Sequence, residues 1–449
     1  MRLTVVGAGR VGLTTALALE HLGHDVICVD LSRDVVESLC RRKMPFHDPD
    51  LERLLPSSRI QVFRELTDDT ASAEVVMIAV QTPGLADGHA DLSAVFAVAQ
   101  GVAGLVGDGA DVALAVKSTT PPGTAAKVQE FVDSALAKRG VEATVRVVSN
   151  PEFLRQGSAL TDTLYPDRVV VGVDDDTAHE RMHELYVSIV EQSFAAPAGL
   201  ERPPNVDVTW VRTAPVNAEL IKYGSNAFLA TKLTFVNEIA RLARSLGGDI
   251  RDVVEGIGLD PRIGSQYMQP GPGYGGPCLG KDTRALAAVG ADFGEETPLL
   301  EAVSKSNALQ RRHIVDQLEG ALGSLDGTTI GLLGLSFKAR TDDVTDSPAL
   351  DVAAILLERG AIVRAYDPAA EERAKTLHPD LAIEYNERPD EMSDGCDAMV
   401  LMTDWPEFRD LDWNNLARRV KRSLVVDARN WLDQRAVEAA GFQYLGLGR

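Results

Sequence analysis

Gly7-Ala8-Gly9-Arg10-Val11-Gly12 constrains the fold of this chain more than any other segment. Three glycines at that spacing say little alone, because glycine is common in turns. Here they follow an apolar run, Leu3–Val6, and open an amphipathic pattern that reaches His21. Val26-Ile27-Cys28-Val29-Asp30 then supplies a second strand that ends in an acid. Strand, tight glycine turn, helix and acid-tipped strand together bring backbone close to a pyrophosphate and set a carboxylate on ribose hydroxyls. Gly7, Gly9, Gly12 and Asp30 are therefore candidate dinucleotide contacts. Asp30 would repel a 2′-phosphate, which favours NAD over NADP, and Arg33 close by tempers that preference.

The same alternation continues. Val75–Val80, Val112–Val116, Val145–Val148 and Val169–Val173 are short apolar runs separated by amphipathic stretches, the pattern of a parallel sheet covered by helices. Ala195-Ala196-Pro197-Ala198-Gly199 and Pro203-Pro204 mark a boundary. From Ala214 to Leu246, Leu220, Ile221, Phe228, Leu229, Leu233, Val236, Ile239 and Leu242 keep three- and four-residue spacings. That predicts a helix of about 50 Å, stopped at Gly247-Gly248. A helix that long can bridge domains and pack against a second copy, so a homodimer is expected. A second βα series starts near residue 327, with strands at Thr329–Leu333, Ile362–Asp367, Ala398–Met402 and Leu424–Asp427.

The expected fold is α/β: two Rossmann-like doubly wound domains joined by a long central helix and a helical dimerisation region. The expected boundaries are 1–203 for dinucleotide binding, 204–310 for the central helical part and 311–449 for the C-terminal α/β domain. At 449 residues the chain exceeds what one core of about 250–300 residues holds. Its net charge of −21 argues against nucleic acid and anionic membrane surfaces as partners. A small anionic ligand needs only local cations and helix N-termini. Cys28, Cys40, Cys278 and Cys396 are far apart, with no metal-binding spacing; they read as thiols of a reducing, cytoplasmic compartment. The chain enters a strand pattern at Arg2, so no signal peptide is expected, and no apolar run reaches the ~18 residues of a membrane span.

Cys278 is the strongest chemical signal. It ends a glycine- and proline-rich run, Pro270-Gly271-Pro272-Gly273-Tyr274-Gly275-Gly276-Pro277, and precedes Leu279-Gly280-Lys281-Asp282. Glycines let backbone approach a ligand, and a nearby lysine favours thiolate over thiol. A nucleophilic thiol in a chain that binds a nicotinamide points to oxidation through a thiohemiacetal and a thioester. Lys117-Ser118-Thr119-Thr120-Pro121-Pro122-Gly123 and Asn150-Pro151-Glu152-Phe153-Leu154-Arg155-Gln156-Gly157 each follow an apolar run, and so lie at strand carboxyl ends, where α/β sheets bind ligands. Lys222 and Asn226, four apart, share a face of the long helix.

These segments, with Asp260-Pro261-Arg262-Ile263-Gly264, Gly334-Leu335-Ser336-Phe337-Lys338, Thr341-Asp342-Asp343, Trp405-Pro406-Glu407-Phe408 and Asp427-Ala428-Arg429, resemble the UDP-glucose and GDP-mannose dehydrogenase family over almost the whole chain, its UDP-glucose branch most closely. The resemblance implies oxidation of a nucleotide sugar's 6-hydroxymethyl group to a carboxylate, with two NAD and one water. It implies Cys278 as nucleophile, Lys222 for proton transfer and oxyanion stabilisation, Asp282 for ordering the catalytic water, and Asn226 on an oxyanion or sugar oxygen. Glu152 would assist thioester hydrolysis and Thr119 would position water. For the nucleotide sugar it implies Phe153, Leu154, Arg155, Tyr267, Gly275, Phe337, Lys338 and Arg429, with Arg262 reaching the neighbouring subunit's sugar site. For NAD it adds Val11, Thr82 and Thr119.

The pattern is broken at Arg10, where tyrosine is usual, at Gln156, where glutamate is usual, at Pro277 and Leu279-Gly280 beside the thiol, and at Thr345, where an arginine contacts NAD. Asp260–Gly264 and Tyr274-Gly275-Gly276 favour UDP-glucose, oxidised to UDP-glucuronate, and dTDP-glucose, GDP-mannose and UDP-N-acetylmannosamine are the alternatives. A two-electron dehydrogenase of the 6-phosphogluconate or β-hydroxyacid kind, which needs no thiol, shares the domain order. A non-catalytic nucleotide-sugar-binding protein is the reading from another class.

Overall fold

Valine-rich runs without a polar break dictate strands buried on both faces. In the computed structural model, which describes residues 1–449, ten short, mainly apolar runs form the interiors of two largely parallel sheets, Arg146 and Arg364 being the charged residues within them away from strand ends. The chain divides into two units, Met1–Ser225 and Asn226–Arg449.

The first unit holds eight strands: β1 (Arg2–Val6), β2 (Asp25–Val29), β3 (Gln61–Phe63), β4 (Val75–Ile78), β5 (Asp111–Val116), β6 (Thr144–Ser149), β7 (Arg168–Gly172) and β8 (Thr209–Thr213). Their order is β3-β2-β1-β4-β5-β6-β7-β8. Pairing is parallel except where Ser149 of β6 meets Gly172 of β7. Side chains alternate between faces with period two. Leu3, Val5 and Met77 enter one core layer, while Val6, Val76 and Ile78 enter the other. The order reverses at β1, between β2 and β4. Beyond the carboxyl ends of those strands lies the crevice where doubly wound sheets take ligands.

A helix of 32 residues, Pro215–Leu246, leaves this unit and continues into the second. Proline at its first position costs no hydrogen bond. It stops as its sequence predicts: Gly247 turns left-handed at φ 75° and Gly248 N–H donates to Ala243 O at 2.8 Å. Helices Ile250–Gly258, Leu279–Asp292 and Pro298–Leu322 follow. The second sheet comprises β9 (Thr329–Leu333), β10 (Ile362–Tyr366), β11 (Ile383–Tyr385), β12 (Ala398–Leu401), β13 (Leu424–Asp427) and β14 (Gln443–Gly446). Its order, β11-β10-β9-β12-β13-β14, repeats the winding of the first six strands of the other sheet.

The sequence pattern anticipates every interior strand and misses β3, β8, β11 and β14. Those four are the edges of the two sheets. β3 and β11 are three residues long, and β8 has no buried residue. A strand with one open side needs no continuous apolar run. β8 carries the first sheet past the Ala195–Pro204 segment. No helix is long and apolar enough to cross a membrane.

Candidate active site

The glycine turn is shaped by contact. A Cβ on Gly7 would stand 2.5 Å from Ala79 O, and one on Gly12 would stand 1.8 Å from Gly7 O. Gly7 also sits at φ 99°, a conformation that side chains resist. Gly9 faces open space and caps the Arg10–His21 helix with no side chain. That leaves the helix N–H groups for an anion, with Val11 half-buried in the first turn. Asp30 accepts from Ala8 N–H at 2.7 Å and Ser32 N–H at 2.8 Å and stays partly exposed. Thr82 Oγ1 donates to Thr119 O at 2.8 Å, tying the loops after β4 and β5. These residues fit an NAD dinucleotide. Arg10 lies with its guanidinium 4.8 Å from the Phe46 ring centre and donates to His47 O at 3.3 Å.

A buried ionic cluster occupies the first unit. Lys222, 4% exposed, donates to Glu152 Oε1 at 3.0 Å. Glu152 Oε2 accepts from Leu154 N–H at 2.7 Å, so the carboxylate is held from two sides. Lys222 Nζ lies 5.4 Å from the Phe153 ring centre, whose other neighbour is the Arg168 guanidinium at 3.9 Å. Arg155 is exposed and bound to Asp162 through Nε at 3.1 Å and Nη2 at 2.7 Å. Lys117 joins this cluster, donating to Asn150 Oδ1 at 3.3 Å. Burial lowers its pKa to about 8, against the pull of Glu152 and with the push of Lys222. Sequence reasoning assigned Lys117 no role; the legible signal was a lysine joined directly to the apolar run Val112–Val116.

A second cluster occupies the other unit. Cys278 is the exposed N-cap of the Leu279–Asp292 helix. Asp282, fully buried one turn in, donates its N–H to Cys278 O at 2.8 Å. Its Oδ2 accepts from Asn226 Nδ2 at 2.6 Å. Its Oδ1 faces Lys281 Nζ at 2.6 Å, close enough for an ion pair but out of hydrogen-bond alignment. Asn226 is itself buried and lies one turn beyond Lys222 on the same helix.

The thiol loop is clamped by backbone. Gly276 N–H donates to Thr345 O at 2.9 Å. A Cβ on Gly275 would stand 2.4 Å from Asp346 O, and one on Gly276 2.7 Å from the Phe337 ring. Thr345 is fixed by Asp343 Oδ1, which accepts from its N–H at 3.0 Å and its hydroxyl at 2.6 Å. Arg429 donates to Met402 O at 2.9 Å and Phe337 O at 2.8 Å, and thereby braces Phe337. Lys338 Nζ is 6.0 Å from the Phe337 ring centre. Tyr267 is half-buried at φ 60°, and Arg262 is exposed, bound to Asp260 at 3.0 and 2.6 Å.

Known proteins agree with this architecture. The models of the UDP-glucose/GDP-mannose dehydrogenase family match in series: the NAD binding domain over 1–190, the central domain over 216–309 and the UDP binding domain over 331–434. A UDP-glucose 6-dehydrogenase of Rhizobium meliloti is 41% identical over 457 aligned residues, covering 100% of both chains. The structure of a UDP-glucose dehydrogenase from the archaeon Pyrobaculum islandicum superposes with a TM-score of 0.86 at 36% identity, covering 100% of this chain and 97% of that one. A UDP-D-ManNAc dehydrogenase structure from Pyrococcus horikoshii gives 0.84 at 27%, covering 100% and 99%. Likeness at this level, end to end and in all three domain models, means that the chain belongs to the UDP-glucose/GDP-mannose dehydrogenase family, as an NAD-dependent nucleotide-sugar dehydrogenase.

Proposed function

We propose that the enzyme oxidises C6 of UDP-glucose twice, giving UDP-glucuronate through a thioester on Cys278. The observation that carries this reading is the exposed thiol at a helix start with the wholly buried, Asn226-bonded Asp282 one turn in. A two-electron dehydrogenase has no use for that thiol. The relatives named for UDP-glucose, at 36–41% identity against 27% for the UDP-D-ManNAc enzyme, support the choice of sugar.

Bound NAD supplies the hydride acceptor at each oxidation. In the first, C6 loses a hydride and its hydroxyl a proton. The Cys278 sulfur then bonds to the aldehyde carbon, and the thiohemiacetal loses a second hydride and proton to become the thioester. Lys222 stabilises the C6 oxyanion that forms at each stage, a task suited to a buried cation, and Asn226 donates to a sugar or oxyanion oxygen. Asp282 orders the hydrolytic water and Glu152 takes its proton, while Thr119 aids in holding that water. As the water oxygen bonds to C6, the C6–S bond breaks and its electron pair returns to Cys278.

Phe153, Leu154, Arg155, Tyr267, Gly275, Phe337, Lys338 and Arg429 hold the sugar nucleotide, Lys338 at the diphosphate. The proposal keeps the division at 1–203, 204–310 and 311–449, a cytoplasmic setting, and a homodimer in which Arg262 reaches the partner's sugar site. An apolar stripe on the long helix, with Phe228 65% and Leu242 57% exposed, supports the dimer. Limiting UDP-glucose with excess NAD should yield two NADH per sugar and UDP-glucuronate. One NADH with accumulating aldehyde would overturn the role of Cys278; none would redirect the reading to dTDP-glucose, GDP-mannose or UDP-N-acetylmannosamine.

A further inference from the structure

The first-unit cluster holds two lysines for one carboxylate. Lys117 closes β5, whose residues 112–116 are all buried, and is itself 7% exposed. Burying an ammonium is costly unless it is paired and hydrogen-bonded. A methionine would fill similar space without that cost, so packing alone does not account for a lysine here.

Its contacts lead to Glu152. Lys117 donates to Asn150 Oδ1, which also accepts from Tyr186 O–H at 2.7 Å, while Asn150 Nδ2 donates to Val170 O at 2.9 Å. Asn150 opens the turn that carries Glu152. The groups facing Lys117 are Glu152 from that turn, Lys222 from the long helix, and Tyr186 from the Asp176–Val190 helix, its ring centre 5.6 Å away. Burial pushes the Tyr186 phenol well up, so it stays neutral. The charge balance thus lies among Lys117, Glu152 and Lys222.

We propose that Lys117 is a positioning residue for Glu152: through the Asn150 amide it fixes the turn that carries Glu152, and as a second cation it offsets the negative charge Glu152 must keep to accept a proton from water. This rests on the thioester reading above. The step it serves is hydrolysis, in which Glu152 gains a proton, the water oxygen bonds to C6, and sulfur leaves with the C6–S pair. Because burial brings Lys117 to about 8, its charge is present at neutral pH and lost as pH rises through that value.

The test is single turnover with enzyme in excess over UDP-glucose and with saturating NAD from about pH 6 to about pH 10, with acyl-Cys278 followed by intact mass and UDP-glucuronate by release. In the wild-type enzyme, hydrolysis should slow as pH rises through about 8. Lys117→Met should hydrolyse about tenfold more slowly at neutral pH, accumulate acyl-Cys278 and lose that alkaline fall. Its acid limb should move to higher pH, because a carboxylate that loses a neighbouring cation is easier to protonate. KM for both substrates should stay within about twofold. Lys117→Arg, which keeps its charge throughout, should recover most of the rate without the alkaline fall.

Wild-type rate and pH profile in Lys117→Met would overturn the proposal, as would equal slowing of oxidation and hydrolysis at every pH, the mark of a merely structural residue. If neither variant folds, the wild-type profile decides, and the absence of an alkaline fall in hydrolysis overturns it. Wild-type enzyme that never forms acyl-Cys278 would overturn the thioester reading and this role together; acyl-enzyme hydrolysed alike in both forms would overturn only the role of Lys117.

Discussion

At the scale of the residue, environment separates side chains that the sequence presents as equals. Of four cysteines, Cys278 and Cys40 are exposed, whereas Cys28 and Cys396 are buried and pushed up to about 12 by burial. Iodoacetamide at neutral pH should therefore modify Cys278 and Cys40 and spare the other two, since thiolate and access are both required. Intact mass and peptide mapping would read this, and an adduct on Cys28 or Cys396, or an unmodified Cys278, would contradict it. Asp30 and Asp367 make the same point. Each ends or follows the second strand of its sheet. Asp30 accepts two N–H groups and keeps an exposed edge. Asp367, 4% exposed, accepts from Leu335, Ser336, Ala369 and Ala370 N–H groups and from Trp405 Nε1. One acid is left able to meet a ligand and the other is consumed in holding a turn. No sequence pattern distinguished them, because the Trp405 partner lies far along the chain.

At the scale of the element, the two strongest sequence motifs sit where helices begin. The Arg10–His21 helix starts under the glycine turn, and the Leu279–Asp292 helix starts at the exposed thiol of Cys278. The first start tolerates no added carbon at its third glycine. Gly12→Ala should cost about 1–3 kcal/mol of stability through overpacking, and should weaken NAD binding more than tenfold by spreading the turn from the pyrophosphate. Urea unfolding and fluorescence titration with NAD would measure both, and unchanged NAD affinity would mean that the turn does not grip the dinucleotide. The long helix was legible end to end, because its apolar spacing and its terminal glycines are local signals. The edge strands were not. β3, with Gln61 and Phe63 exposed about a half-buried Val62, has the composition of a loop until β2 pairs with it.

At the scale of the whole molecule, one winding is used twice for different ends. The first sheet carries the glycine turn within the stretch that matches the NAD binding domain, and the second sheet follows the helix that starts at the thiol. Phe228, Phe235, Leu242 and Leu246 are 46–83% exposed on a single helix at spacings of seven, seven and four, a stripe long enough to seat a second copy. Phe228→Glu with Leu242→Glu should convert a dimer to monomer, read by light scattering on a sizing column. Wild-type protein that is monomeric at micromolar concentration would dismiss the dimer.

The α/β class, the ten interior strands, the long helix ending at Leu246 and the candidates Glu152, Lys222, Asn226, Cys278 and Asp282 were legible in the sequence, whereas Lys117 and Tyr186 were not. The legible properties rest on periodicity and on short motifs, which are local. Which buried polar groups meet is a matter of tertiary structure. Lys117 reaches Asn150 across 33 positions, Lys222 reaches Glu152 across 70, and Asn226 reaches Asp282 across 56. Each joins segments far apart in the chain, and a buried polar group needs a partner that no local pattern specifies.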